Sequence, residues 1–305
     1  MAGFPLKDVI PPLVTPRAGR DELDLPALER IIEHVLGGGV HGLFLLGTTG
    51  EGPSLSHAAR QTLVTEATRL VRRRVPVLVG ITDSSFSESV QLARFAADAG
   101  ADAVVLAPPF YFPMHQPDLR HYCVAMAREV PLPVYLYNMP SHCKVSFELD
   151  TVKQLIDEPN IVGLKDSSAQ MLFFNQVLML AQGRPDFSVL MGPEELLAEG
   201  VLMGGHGGVC GGANLCPHLY VEMYEAAVTG DLRQVHVLQQ RILRLSSKIY
   251  SVGLAPSGYL TGLKAALSLL GLCEARLSEP LTPLPDERRA LLARHLADLG
   301  LATVS

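Results

Sequence analysis

Val134-Tyr135-Leu136-Tyr137 is a short β-branched and aromatic run. An amphipathic stretch, Glu148–Ile156, follows it, and then a second apolar run, Ile161-Val162-Gly163-Leu164. Strand, helix and strand within about 30 residues is the spacing of a βαβ unit, whose parallel strands need a long crossover connection. The same alternation extends to both sides. Strands are expected at Val9–Thr15, Gly42–Leu46, Val77–Ile81, Ala103–Ala107, Val134–Tyr137, Ile161–Leu164, Ser188–Met191 and Gly207–Cys210. Helical spacing lies between them at Leu25–Leu36, Ala58–Arg72, Ser87–Ala99, Asp118–Glu129 and Glu148–Ile156. Strands with no polar face suit a parallel sheet covered by helices. Eight such units in about 225 residues predict closure into an α/β (β/α)8 TIM barrel; the alternative is a doubly wound open sheet.

No strand pattern follows Pro217. Tyr220–Val228, Leu232–Ile249, Leu260–Leu270 and Asp286–Leu299 read as a C-terminal helical extension that includes the eighth barrel helix. The expected division is a barrel over residues 1–229 and a helical bundle over 230–305, packed as one structural unit without a low-complexity linker.

Composition removes several classes of function. The 305 residues carry 25 Lys+Arg against 31 Asp+Glu, a formal charge of −6, and show no basic face for a nucleic acid. Arg72-Arg73-Arg74 falls at a helix end, where cations favour the dipole. No apolar run reaches the ~20 residues of a membrane span, and Met1-Ala2-Gly3-Phe4-Pro5 lacks the blocks of an export signal, which predicts a cytoplasmic protein. Five cysteines without a Cys-x-x-Cys pair, and ten scattered histidines, predict neither a disulfide framework nor a metal site.

Chemistry in a barrel sits at the C-terminal ends of the strands. On that rim stand Gly47-Thr48-Thr49-Gly50-Glu51-Gly52, Phe110-Tyr111, Tyr137-Asn138 and Lys165-Asp166-Ser167-Ser168. Lys165 is the only one of six lysines that directly continues a short apolar strand. Desolvation there favours the neutral amine over the ammonium form, whose usual pKa is ~10.4, and a neutral amine attacks ketones to give a Schiff base. The competing reading is a lysine that snorkels to solvent or pairs with Asp166. The Gly47–Gly52 loop lacks the ending of a nucleotide-binding loop, yet offers two hydroxyls and several N–H groups to a small carboxylate. Its structural reading is a tight turn with Ser54 or Ser56 near the next helix cap. Tyr137 is either a core aromatic whose hydroxyl meets Thr49 or a proton carrier beside the amine. Gly204-Gly205-His206-Gly207-Gly208 suits close approach of backbone to a ligand or to a bulky neighbouring strand.

Together, Gly47-Thr48-Thr49-Gly50-Glu51, Tyr137-Asn138-Met139-Pro140, Gly163-Leu164-Lys165-Asp166 and Gly205-His206-Gly207-Gly208 with Ala213-Asn214 resemble the dihydrodipicolinate synthase/N-acetylneuraminate lyase family of pyruvate-dependent class I aldolases. The resemblance implies that Lys165 forms an imine with pyruvate or another 2-oxo acid while Thr48 and Thr49 hold its carboxylate. It implies that Tyr137 shuttles protons, linked through Thr49 to a Tyr111 contributed by a neighbouring subunit of a homotetramer. Gly192 and Val209 match positions lining the pocket. Neither metal nor cofactor is called for.

Where synthases of this family carry an arginine for the carboxylate of the aldehyde substrate, this chain has His142, with Lys144 nearby. Histidine offers no planar fork to a carboxylate. Gly192-Pro193-Glu194-Glu195 resembles the acidic segment that contacts sugar hydroxyls in neuraminate lyases, which makes Glu195 a candidate for substrate binding, and Ser167 and Ser168 suit a polyhydroxy tail. The resemblance therefore implies a lyase that cleaves or forms a hydroxylated or sugar-derived 2-oxo acid. The alternatives are 4-hydroxy-tetrahydrodipicolinate synthase, a 2-keto-3-deoxy-sugar-acid dehydratase and a non-catalytic 2-oxo-acid sensor.

Overall fold

The computed structural model describes residues 5–253 and 257–301. The expected spans 1–229 and 230–305 begin and end in residues outside that range, as does most of the Met1–Pro5 stretch. Eight parallel strands form the barrel: β1 (Asp8–Val9), β2 (Leu43–Leu45), β3 (Val77–Gly80), β4 (Ala103–Leu106), β5 (Val134–Asn138), β6 (Ile161–Asp166), β7 (Ser188–Met191) and β8 (Gly207–Gly208). They pair in the order β1-β8-β7-β6-β5-β4-β3-β2. Closure is made by Leu13, whose N–H donates to Phe44 O at 2.8 Å, and by the Phe44 N–H, which donates to Pro11 O at 3.0 Å. The first strand is shorter than its apolar run because Pro11 and Pro12 have no N–H to donate, which leaves only an isolated bridge at Pro12.

Helices α1 (Leu25–Gly37), α2 (His57–Val71), α3 (Phe86–Asp98), α4 (Gln116–Glu129), α5 (Leu149–Leu155), α6 (Met171–Ala181), α7 (Leu197–Leu202) and α8 (Pro217–Thr229) follow the strands in turn. The first three start at side-chain caps: Asp24 accepts from Ala27 N at 2.9 Å, Ser56 from Ala59 N at 3.1 Å, and Ser85 from Glu88 N at 3.4 Å. In α1, Ala27, Leu28, Ile31, Ile32 and Val35 form the buried stripe. Helices α9 (Leu232–Ile249), α10 (Gly258–Leu269) and α11 (Asp286–Asp298) complete the chain. A small antiparallel hairpin, Arg17–Gly19 with Glu22–Leu23, lies outside the expected elements.

Two apolar layers result. Residues facing the helices form the larger one. The barrel interior holds Ile10, Phe44, Leu78, Val105, Tyr135 and Tyr137 among others. Gly207 lets β8 lie against β1, since a Cβ there would strike the backbone of Asp8. Within the Gly204–Gly208 run, it is Gly207 that serves strand packing.

Candidate active site

An irregularity in β6 decides which side chains enter the mouth. Val134 pairs with Ile161 but Tyr135 pairs with Gly163, so Val162 is an extra residue in β6. Side chains alternate along a strand, and one inserted residue exchanges the faces of everything beyond it. Tyr137 is thereby opposite Lys165, and Asn138 opposite Asp166. Gly163 is required at the shift because a Cβ would meet the Tyr135 ring.

Lys165 therefore points into the barrel and is 6% exposed. Its Nζ lies 4.1 Å from the centre of the Tyr137 ring and 5.1 Å from that of Phe44. Asp166 points the other way: its carboxylate accepts from Asn138 Nδ2 at 2.8 Å, Ser168 N at 3.1 Å and Ser168 Oγ at 3.0 Å. Burial raises its pKa above the ordinary carboxylate value. The sequence-based alternative of a snorkelling lysine paired with Asp166 is not what the fold produces.

The Lys165 cavity, about 240 Å³, is lined by Thr48, Thr49, Tyr137, Ser167, Gly192, Glu195 and Val209, so seven of the expected positions converge on it. Gly192 admits close approach of β7 to β6: its N–H donates to Asp166 O at 2.7 Å, and a Cβ would strike Ser167 Oγ. Ser56 caps α2, as expected, while Gly47–Gly52 forms the turn before it.

One expectation needs correction. The Tyr137 hydroxyl meets Thr48 Oγ1, at 3.3 Å, rather than Thr49. Thr49 is the more buried of the two and shares the cavity wall with Tyr259. Tyr111 is 70% exposed, edge-on to Phe112 at 4.9 Å between ring centres, and does not line the Lys165 cavity of its own chain. His142 lies outside that cavity too, in an adjoining apolar lobe of about 230 Å³ with Leu46, Val105, Phe110 and Cys143. Thr48, Tyr137 and Met139 form the wall shared by the two lobes.

Sequence reading missed contributions from the helical tail. Tyr250 and Tyr259 line the Lys165 cavity, and Tyr250 donates to Glu194 Oε1 at 2.8 Å. Tyr220 donates to the same oxygen at 2.6 Å and the Gly212 N–H to Oε2 at 2.6 Å. Burial, aided by neighbouring Glu195, pushes the Glu194 carboxyl up to about 7 despite these donors. Aromatic residues in an amphipathic tail read as core, and only the fold shows which ones reach the barrel mouth.

A closed barrel whose C-terminal mouth gathers a buried lysine, a tyrosine and paired threonine hydroxyls defines a barrel lyase of the aldolase class. The chain belongs to the dihydrodipicolinate synthetase family, whose model matches residues 5–299. It is 33% identical over 298 residues to a 4-hydroxy-tetrahydrodipicolinate synthase of Phenylobacterium zucineum, covering 97% of this chain and 98% of that one. Its fold is similar to dihydrodipicolinate synthase from Bacteroides thetaiotaomicron, with TM-score 0.94, 47% identity, and coverage of 97% and 100%. It is also similar to YagE, a prophage protein of the same family from Escherichia coli K12 in complex with pyruvate, with TM-score 0.90, 30% identity, and coverage of 97% and 99%. Among the described residues, no helix is long and apolar enough to cross a membrane.

Proposed function

We propose that the protein is a Schiff-base lyase that cleaves or forms the bond between pyruvate and an aldehyde in a 4-hydroxy-2-oxo acid, with Lys165 as the imine-forming residue. The observation that carries this reading is the pairing of Tyr137 with Lys165 on adjacent strands, with Nζ 4.1 Å from the ring, in one cavity with Thr48 and Thr49. The free amine of Lys165 attacks the ketone, and loss of water gives a protonated imine. Tyr137 takes the proton of the C4 hydroxyl as the C3–C4 bond breaks, and the electron pair flows into the imine. The aldehyde leaves, the enamine regains a proton at C3, and hydrolysis returns pyruvate and the free lysine. Condensation runs the same steps backwards. Thr48 keeps the Tyr137 hydroxyl facing the cavity, and the threonine turn receives the carboxylate.

The substrate half beyond C4 is read as hydroxylated, because Ser167 and Glu195 line the Lys165 cavity while Glu194 is already committed to three protein donors. A second reading, condensation of pyruvate with aspartate semialdehyde, is favoured by the names of the relatives. Against it, no arginine among the described residues lines either lobe, and His142 stands at the position expected to meet the second carboxylate. We take the enzyme to be a cytoplasmic homotetramer in which an exposed Tyr111 reaches a neighbouring site, as the family resemblance implies. Pyruvate release from neuraminate, keto-deoxy sugar acids and 4-hydroxy-2-oxoglutarate, measured beside condensation with aspartate semialdehyde, tests the reading. Faster release from the hydroxylated acids is expected, and condensation as the only activity would replace this reading with the second. Loss of specific activity on dilution to monomer is expected from the Tyr111 assignment, and a fully active monomer would remove it.

A further inference from the structure

The threonine turn is gripped from outside the barrel. Glu51 adopts the left-handed backbone conformation, φ 55° and ψ 24°, which side chains other than glycine's rarely take. Its carboxylate accepts from Lys264 Nζ through Oε1 and from the Ser278 N–H through Oε2 at 2.5 Å. Both side chains of the ion pair are 0% exposed. Lys264 belongs to α10 and Ser278 to the segment after it, while Arg17 of the hairpin donates to the Ser278 hydroxyl. Inside the turn, Glu51 N donates to Thr48 O at 3.0 Å and Gly52 N to Gly47 O at 3.2 Å. The carbonyl of Gly50 accepts the Thr15 hydroxyl at 2.6 Å. Neither Glu51 nor Lys264 lines the two lobes, so neither touches substrate.

A fully buried ion pair is weak as a source of stability, because desolvation of both charges offsets their attraction, and apolar replacements of similar volume are often as stable. Its effect is directional: two fixed donors define where the Glu51 carboxylate, and with it the turn two residues away, must lie. We propose that Glu51 and Lys264 are positioning residues through which the C-terminal helices hold Thr48 and Thr49 in register with Lys165, and so set the affinity of the site for a 2-oxo-acid carboxylate. The inference rests on the assignment of the threonine turn as the carboxylate seat.

The neutral pair Glu51→Gln with Lys264→Met removes both charges together. Glu51→Asp, which keeps both charges and suits the left-handed backbone but draws the carboxylate back by one methylene, is the second variant should the pair fold poorly. Borohydride trapping is measured against pyruvate concentration, and hydrogen exchange of residues 47–52 is measured in the ligand-free protein. The expected result is a rise of about tenfold or more in the pyruvate needed for half-trapping, with full trapping at saturation. The 47–52 amides should exchange faster while those of β6 are unchanged. A purely structural pair would lower the melting temperature without moving either quantity, and that outcome overturns the proposal. If the wild type is not trapped by pyruvate at all, the proposed function fails separately. The exchange measurement then decides alone, with faster exchange confined to the turn supporting the positioning role and unchanged exchange refuting it.

Discussion

Replacing Glu194 with glutamine changes the pH dependence of stability by an amount that follows from the site. The folded carboxyl is pushed up to about 7 from an ordinary value of 4.5, chiefly by burial and then by Glu195. Between those two values the folded protein holds a proton that the unfolded chain releases. The resulting stabilisation is fully present below the unfolded value and is lost as pH rises through the folded one. A shift of about 2.5 units at 1.36 kcal/mol each amounts to about 3 kcal/mol, an upper figure. Glutamine has no proton to lose. Its carbonyl accepts from the Gly212 N–H, and the Tyr220 and Tyr250 hydroxyls, which can accept as well as donate, turn to receive its amide. Urea denaturation of both proteins from pH 4.5 to 7.5 isolates this residue, because other groups titrate alike in each. Relative to the variant, the wild type is expected to lose up to about 3 kcal/mol across the range. A difference that stays flat with pH would refute the assignment of a buried, proton-holding carboxyl at the cavity wall.

Three further outcomes are expected. Tyr137→Phe should still form the imine but lower turnover by about 10²- to 10⁴-fold, and a wild-type steady-state rate would contradict proton transfer by the phenol. Thr48→Val removes the 3.3 Å contact to Tyr137 and should slow turnover about tenfold, the equivalent of one hydrogen bond, whereas an effect confined to Thr49→Val would restore the original link. Gly192→Ala drives a methyl group against Ser167 Oγ and Asp166 O, and a loss of about 1–3 kcal/mol in urea denaturation is expected; unchanged stability would show that β6 and β7 can part freely.

Most of the architecture was legible because the strands are uninterrupted apolar runs and the longer helices are amphipathic, α1 to α3 and α9 with their own caps. Ser188–Met191 and Leu232–Ile249 have the same bounds in sequence and structure, and the remaining helix ends differ by a residue or a few. The first strand was read too long because two prolines break its ladder without changing its hydropathy. Site residues at strand ends were legible for a related reason: the barrel rule assigns Thr48, Tyr137 and Lys165 to one rim before any contact is known. What could not be read depends on pairing between distant segments. The extra residue at Val162, which turns Lys165 inward and Asp166 outward, is visible only when β6 is laid against β5. The division of labour between Thr48 and Thr49 turns on which hydroxyl faces the barrel. Tyr250 and Tyr259 reach the mouth, and Lys264 reaches the Glu51 carboxylate behind it, from a tail whose own pattern is that of ordinary buried faces.

The proposed chemistry rests on Lys165 as the nucleophile. Incubation with pyruvate and borohydride, followed by digestion and mass analysis, should place one reduced pyruvyl adduct on the peptide containing Lys165, with no adduct in Lys165→Ala and full labelling in Lys144→Ala. An adduct that persists in Lys165→Ala, or lies on another lysine of the wild type, would contradict it.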